Sequence, residues 1–309
     1  MRNEGSSDHS WNNMDNDILV KIFMTLNVMD LITSVSQVCS SWRSACCEPV
    51  LWKKLDLRML KPSFVCNPPK PYPWSNRLPA TILMSVLKRS LNLSHGNVTF
   101  LIFNFFECIR DEHLVFIAKR TRNLKRLVLP ATWHQITIGG TKEAFKMWEG
   151  LESLTIPWFC SRMKHMEVIG TYCKNLFELK IDFQFDLNLA CALTKNFRKL
   201  KVLSLRCKTV HNEALIHILD NSEKLEVLNI SHCFFIQFEK GSETSFTLYH
   251  EPVQSIIEKG SRLKQFLTCQ TKSCDTCKSA PSVEGVSRSI WYELEQRYWQ
   301  EDEVSSLAH

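Results

Sequence analysis

Cys269, Cys274 and Cys277 form a C-x4-C-x2-C group, the only metal-like spacing in the chain. A tetrahedral zinc needs four ligands, usually delivered as two such pairs, and the nearest histidine in sequence is His250. Two readings stand, a structural zinc completed from elsewhere or unpaired thiols in a loop. The expectation carried forward is no metal and no cofactor. The remaining Cys and His residues are dispersed, and no nucleophile motif, Gly-rich phosphate loop or His-rich metal motif occurs. No residue is therefore assigned a catalytic role, and any chemistry is expected to belong to a partner.

Charge gives a second lead. The formal charge of +6 is modest, but basic residues gather just before the strands: Arg120, Arg122, Lys125 and Arg126; Lys174; Lys195, Arg198, Lys199 and Lys201; Lys224; and Arg262 and Lys264. One reading puts them at helix C-termini, where a cation gains about 0.3–1 kcal/mol from the helix dipole. The other makes them a rim for an acidic or phosphorylated protein partner. Aromatic residues that could stack on bases are missing from these clusters, so nucleic-acid binding is not expected.

The elements that must carry these side chains repeat. An apolar residue, two variable residues, a second apolar, one variable and a third apolar recur as Val98, Leu101, Phe103; Leu124, Leu127, Leu129; Leu151, Leu154, Ile156; Leu176, Leu179, Ile181; Leu200, Leu203, Leu205; and Leu225, Leu228, Ile230. Successive units are 26, 27, 25, 24 and 25 residues apart, the period of leucine-rich repeats. In a strand, alternate side chains point to opposite faces, so the last two apolar residues of each unit point inward. Helical spacing follows, as in Leu114, Ile117 and Ala118 or Leu215, Ile218 and Leu219. One such unit cannot bury its apolar side alone, whereas a stack can. The expected fold is α/β, a curved parallel sheet with helices on its convex side. The segments from Phe106 and from Cys207 resemble the cysteine-containing subtype of the repeat, and Cys233 fits the same position.

On the strands, the outward residues Arg126, Val128, Glu178, Lys180, Val202, Ser204, Val227 and Asn229 are the expected contacts to a protein substrate. Phe100 and Ile102 are odd at such positions and are expected to be covered by the linker or by substrate. Leu263-Lys264-Gln265-Phe266 starts a degenerate seventh unit, 38 residues beyond Leu225. The surplus, about Phe238 to His250, reads as an exposed polar loop and a further substrate contact.

Residues 11–57 form a separate apolar unit. Asp15 or Asn13 can cap a first helix with Ile18, Leu19, Ile22, Phe23 and Leu26 on its buried side. Asp30 can cap a second with Leu31, Val35 and Val38. Ser40 or Ser41 opens a third with Trp42, Ala45 and Cys46, stopped near Pro49. Three short helices bury little area alone, so this unit needs a partner or the adjoining repeats.

The run Asp17-Ile18-Leu19 to Ile22-Phe23 and Leu26, then Asp30-Leu31, Val35, Val38-Cys39, Trp42-Arg43 and Pro49-Val50-Leu51-Trp52 with Leu55, resembles an F-box. With the repeats behind it, residues 11 to about 270 are similar to the plant F-box/LRR-repeat proteins. The family usually begins with Leu-Pro, and this chain has Asn13-Met14 there. The resemblance implies a substrate-recognition subunit of an SCF-type cullin-RING ubiquitin ligase, not itself an enzyme. Its F-box would dock on the Skp-type adaptor, and through it on cullin, using Met14, Ile18, Ile22, Leu31, Val38 and Trp42. The alternative is a repeat scaffold outside a ligase. A hormone-sensing receptor is a third reading, set against the shallow arc that six or seven units make.

Residues 58–79 hold six prolines and read as a stiff linker. Residues 80–270 carry the repeats, opened by a capping helix over 80–91. Residues 271–309 form a tail, with Trp291, Leu294 and Tyr298 on one face of a helix and an acidic end at Glu301, Asp302 and Glu303, free or capping the last repeat. Residues 1–13 lack an apolar core, and the most apolar run, Thr99 to Ile109, is too short to span a bilayer. Thirteen cysteines without an export signal point to a reducing compartment, cytoplasm or nucleus.

Overall fold

The computed structural model describes residues 14–58, 60, 80–104, 107–130, 135–157, 162–182, 184–206, 209–238, 246–269 and 303–308. Eight strands make one sheet: β1 (Lys54–Asp56), β2 (Phe100–Ile102), β3 (Arg126–Val128), β4 (Ser153–Pro157), β5 (Glu178–Asp182), β6 (Val202–Ser204), β8 (Val227–Asn229) and β11 (Gln265–Leu267), hydrogen-bonded in that order. Every neighbouring pair is parallel. The register explains the sequence period. Leu55, Leu101, Leu127, Leu154, Leu179, Leu203, Leu228 and Phe266 stand opposite one another in a single row across the sheet. All but Phe266 are fully buried. A one-residue slip anywhere would turn this row out to water, so the apolar ladder fixes the register.

Parallel neighbours need a crossover, and from β2 onward each contains a helix. These are α5 (Asp111–Arg120), α6 (Ile138–Phe145), α7 (Arg162–Tyr172), α8 (Leu187–Asn196), α9 (Asn212–Asn221) and α10 (Gln254–Gly260), each packed on the next. Their polar side chains stitch unit to unit. Trp148, fully buried, donates its indole N–H to Thr121 O at 3.0 Å, and Thr141 Oγ shares a 2.8 Å hydrogen bond with His165 Nδ1. The dispersed histidines thus work within the stack. His113, inside α5, accepts the N–H of Arg110 on Nδ1 and closes a capping box there. Cys233 donates its thiol to Leu205 O.

The amino-terminal unit has the expected three helices, α1 (Asn16–Phe23), α2 (Val28–Thr33) and α3 (Ser40–Ala45), with a 3-10 turn over Pro49–Trp52. Two caps differ from expectation. Asn27 caps α2 by accepting the N–H of Asp30, while its own amide donates to the Asp30 carboxylate at 2.6 Å. At α3 the cap is Cys39, whose sulfur accepts the Trp42 N–H. In both cases the residue one turn earlier reaches the free N–H first.

Helix α4 (Ala80–Leu93) opens the repeats. Strand β1 was not expected: it pairs Lys54 with Phe100 and Asp56 with Ile102. The F-box-like unit therefore adds the first strand of the repeat sheet, and their relative placement is set by that ladder, whatever the 58–79 segment does. Of that segment only Arg58 and Leu60 are described; their carbonyls accept the side-chain amide of Asn104 at 2.7 and 3.1 Å. Ile102 is buried and Phe100 half-buried, with the Lys54 ammonium 5.5 Å from its ring centroid.

The seventh unit is real, closed by β11 against β8. The surplus before it is not a simple loop. Strands β9 (Phe234–Phe238) and β10 (Phe246–Tyr249) form an antiparallel pair, and β9 runs parallel to β7 (Thr209–His211) in a second, three-stranded sheet. The apolar run Phe234-Phe235-Ile236, just ahead of the surplus, is buried there, whereas Phe246, Thr247 and Tyr249 within it are exposed as expected, on a strand rather than a loop. The proposed helix around Trp291, and Cys274 and Cys277, lie outside the described residues. No group of three metal-ligating side chains occurs among the described residues, and no helix there is long and apolar enough to cross a membrane.

Candidate protein-binding faces

The first face lies on the F-box-like helices. Ile18 and Ile22, four apart on α1, share one side of the helix and are 47% and 41% exposed; Val38, after α2, is 55% exposed. Met24 and Val50 are also exposed. Such aliphatic side chains in water are what a partner could cover. The other expected adaptor contacts sit deeper. Met14 is half-buried against the core. Trp42 is half-buried, edge-on to Phe23 with ring centroids 5.4 Å apart. Leu31 is packed inside and offers no surface as the chain stands. A single leucine at the expected position cannot be told from a core leucine by its type.

The second face is the open side of the parallel sheet. Register places the expected substrate contacts in two rows flanking the leucine ladder. One row runs Phe100, Arg126, Ser153, Glu178, Val202, Val227 and Gln265; the other runs Ile102, Val128, Thr155, Lys180, Ser204, Asn229 and Leu267. All eight expected residues share this face. Strands are about 4.8 Å apart, so Lys180, Ser204 and Asn229, consecutive in the second row, present an ammonium, a hydroxyl and an amide within about 10 Å. In the first row Arg126 reaches past the small Ser153 to Glu178, 3.4 Å away.

Most of this face is not open to water. Val128, Glu178, Lys180, Ser204 and Asn229 are buried, and Arg126, Val202 and Val227 are half-buried. Four of them, Arg126, Lys180, Ser204 and Asn229, meet the chain's own residues 303–308. Glu303 lies over Lys180, Ser204 and Asn229: Lys180 Nζ is 2.7 Å from Oε2, Ser204 Oγ donates to Oε1 at 2.8 Å, and Asn229 Nδ2 donates to Oε1 at 3.0 Å. Oε1 also accepts the N–H of Val304 at 2.8 Å. Two residues on, Arg126 donates to the carbonyl of Ser306 at 2.6 Å. Val304 and Leu307 are buried, and the segment turns on itself as Leu307 and Ala308 donate to Val304 O. Burial alone would raise the Glu303 carboxyl. Together the Lys180 ammonium and the hydrogen bonds from Lys180, Val304 and Ser204 outweigh it and hold the carboxyl below its ordinary value. Of the acidic end, Glu303 is described, and it lies against the strand face; the tail helix expected to float or to cap the last repeat lies outside the described residues. Only the alternation of acid and aliphatic in Glu303-Val304-x-x-Leu307 could have signalled this contact.

The basic clusters have mostly local partners. Lys125 pairs with Glu152 at 2.7 Å, and Lys201 and Lys264 flank Glu226 at 3.1 and 2.7 Å, each joining one unit to the next. Lys174 donates to Gly170 O and Arg120 to Phe116 O, at the C-terminal ends of their helices.

An F-box-like family model matches residues 16–58. F-box/LRR-repeat protein At3g48880 of Arabidopsis thaliana is 40% identical over 298 residues, covering 96% of each chain. F-box protein SKIP19 of the same plant is 25% identical over 73% of this chain and 70% of its own length. Among solved structures, the Toll–Spatzle complex of Drosophila aligns over 60% of this chain and 25% of that one, with a TM-score of 0.38 and 15% identity.

Proposed function

Because the chain belongs to the plant F-box/LRR-repeat family, we propose that it is the substrate-recognition subunit of an SCF-type cullin-RING ubiquitin ligase. The F-box docks on the Skp-type adaptor, and the strand face of the repeats holds the protein to be ubiquitinated. The observation that carries this reading is the exposure of Ile18, Ile22 and Val38 on a unit joined to that strand face through one continuous sheet. Members of the family are in general non-catalytic adaptors, and the chain's contribution is proximity. Holding a substrate near the charged conjugating enzyme makes the transfer effectively intramolecular, and rigid coupling between the two faces fixes where the substrate is presented. Cytoplasm or nucleus is the compartment that goes with this role.

The test is co-purification of adaptor and cullin with the full chain beside an Ile18→Asp/Ile22→Asp variant. Both side chains are already in contact with water, so the variant should fold. Wild type recovering both partners and the variant neither is the expected result. If wild type recovers neither, the protein is a repeat scaffold acting outside a ligase.

A further inference from the structure

We propose that Lys180, Ser204 and Asn229 form a carboxylate-binding site on the strand face, and that the protein held by the repeats carries an acidic residue followed one and four positions later by aliphatic side chains. The chain's own Glu303-Val304-x-x-Leu307 fills that site in cis. This deepens the reading above, since it rests on the strand face being where a protein is held.

The ladder of leucines accounts for the stability of the sheet, and neither row beside it is needed for that. Yet three strands in succession place a cation and two neutral donors side by side in one row, all on one carboxylate. One ammonium and two neutral donors match a single negative charge. The group seated there in cis is a carboxylate held by these three donors, while Arg126 in the neighbouring row is engaged by Glu178 and by the carbonyl of Ser306. The partner is therefore assigned as carboxylate-bearing.

The occupant is also suited to leave. Its described part is six residues with two buried aliphatic side chains. When it lifts away, Lys180, Ser204 and Asn229 face water on an open strand surface and recover hydration, so neither state strands a buried charge. A tethered segment competes at an effective concentration on the order of millimolar. A partner in solution must overcome that, and its apparent affinity is reduced by the fraction of chains whose site is filled.

The experiment uses the full chain and a fluorescent, amidated peptide of residues 301–309, with no adaptor present, so its outcome is independent of ligase membership. Binding is read by fluorescence anisotropy. Glu303→Lys/Leu307→Ser in the protein should release the tail, and this variant should bind the peptide roughly tenfold tighter than wild type. Adding Lys180→Met to the released variant should abolish binding, and a peptide with Gln at 303 should bind far more weakly. Thermal melting establishes that each variant is folded. Equal binding by wild type and the released variant would overturn the proposal, as would undiminished binding by the folded Lys180→Met protein. Tighter binding of a peptide with phosphoserine at 303 would overturn the carboxylate assignment. If the peptide binds as expected but no adaptor co-purifies, the site stands and the ligase reading falls; the converse result removes only the site.

Discussion

His165 is 4% exposed, and its Nδ1 lies 2.8 Å from Thr141 Oγ. Burial pushes its pKa down from 6.5 to about 4, against the opposing pull of Asp111. In the unfolded chain the ring protonates near 6.5, so as pH falls the unfolded state takes up the proton first. The stabilisation is therefore complete above pH 6.5 and is lost on going down to about 4, on the order of 3 kcal/mol in all. Denaturant titrations at pH 7.5 and pH 5 should show it, and His165→Asn should flatten the dependence; an unchanged slope would place the titration elsewhere. The thiols obey the same physics. Burial pushes Cys173 up to about 12 and, with Cys47 beside it, Cys46 up to about 11. Both stay protonated at pH 8, whereas Cys191 is exposed. Mass spectrometry after brief alkylation of the native protein should find Cys191 modified well before Cys46 or Cys173, which react only on unfolding.

Helices α7 and α8 approach closely because Gly170 has no side chain. A Cβ there would lie 2.5 Å from Asn196 Cβ and 3.2 Å from the Asn196 carbonyl. The clash involves backbone, so it cannot be relieved by a rotamer change. Gly170→Ala should lower stability by about 1–3 kcal/mol through overpacking, more than the roughly 1 kcal/mol that alanine gains in helix propensity. Gly139 in α6 is the contrast: exposed, with only Thr137 Oγ near, at 3.5 Å. Gly139→Ala should raise stability by about 0.5–1 kcal/mol. Melting curves giving the same sign for both would overturn this account. At this scale the sequence was legible wherever an element had a period of its own. The leucine ladder, the crossover helices and the three amino-terminal helices follow from spacing. Strand β1 was illegible because Lys54-Leu55-Asp56 carries no pattern, and it is a strand only through its pairing with β2. The eight outward strand residues were placed on one face correctly, since alternation settles that. What fills the face was not visible, because Glu303 meets it from 74 positions beyond Asn229.

Strand β1 changes how the molecule as a whole should unfold. Without it, the edge of β2 would show unpaired N–H and C=O groups, a liability that repeat proteins cover with a terminal cap. Here the F-box unit is that cap: Leu57 donates to Ile102 O at 2.8 Å, and Thr99 and Phe100 both donate to Lys53 O. Trp52, Leu55 and Leu57 are fully buried in the same apolar core as Leu101 and Leu127. Two independent domains on a linker would melt separately, and damage in one would leave the other intact. A shared core and shared ladder predict the opposite. Leu101→Ala, which removes buried volume under β2, should cost about 2–5 kcal/mol. By hydrogen exchange it should also lower the protection of amides in α1 and α3, on the far side of the junction. Leu228→Ala, a comparable lesion at the other end of the stack, should leave those amides nearly unchanged, because repeat stability is transmitted between neighbours. If Leu101→Ala spares the F-box amides, the two units are mechanically separate, and the strand face has no fixed position relative to Ile18 and Ile22.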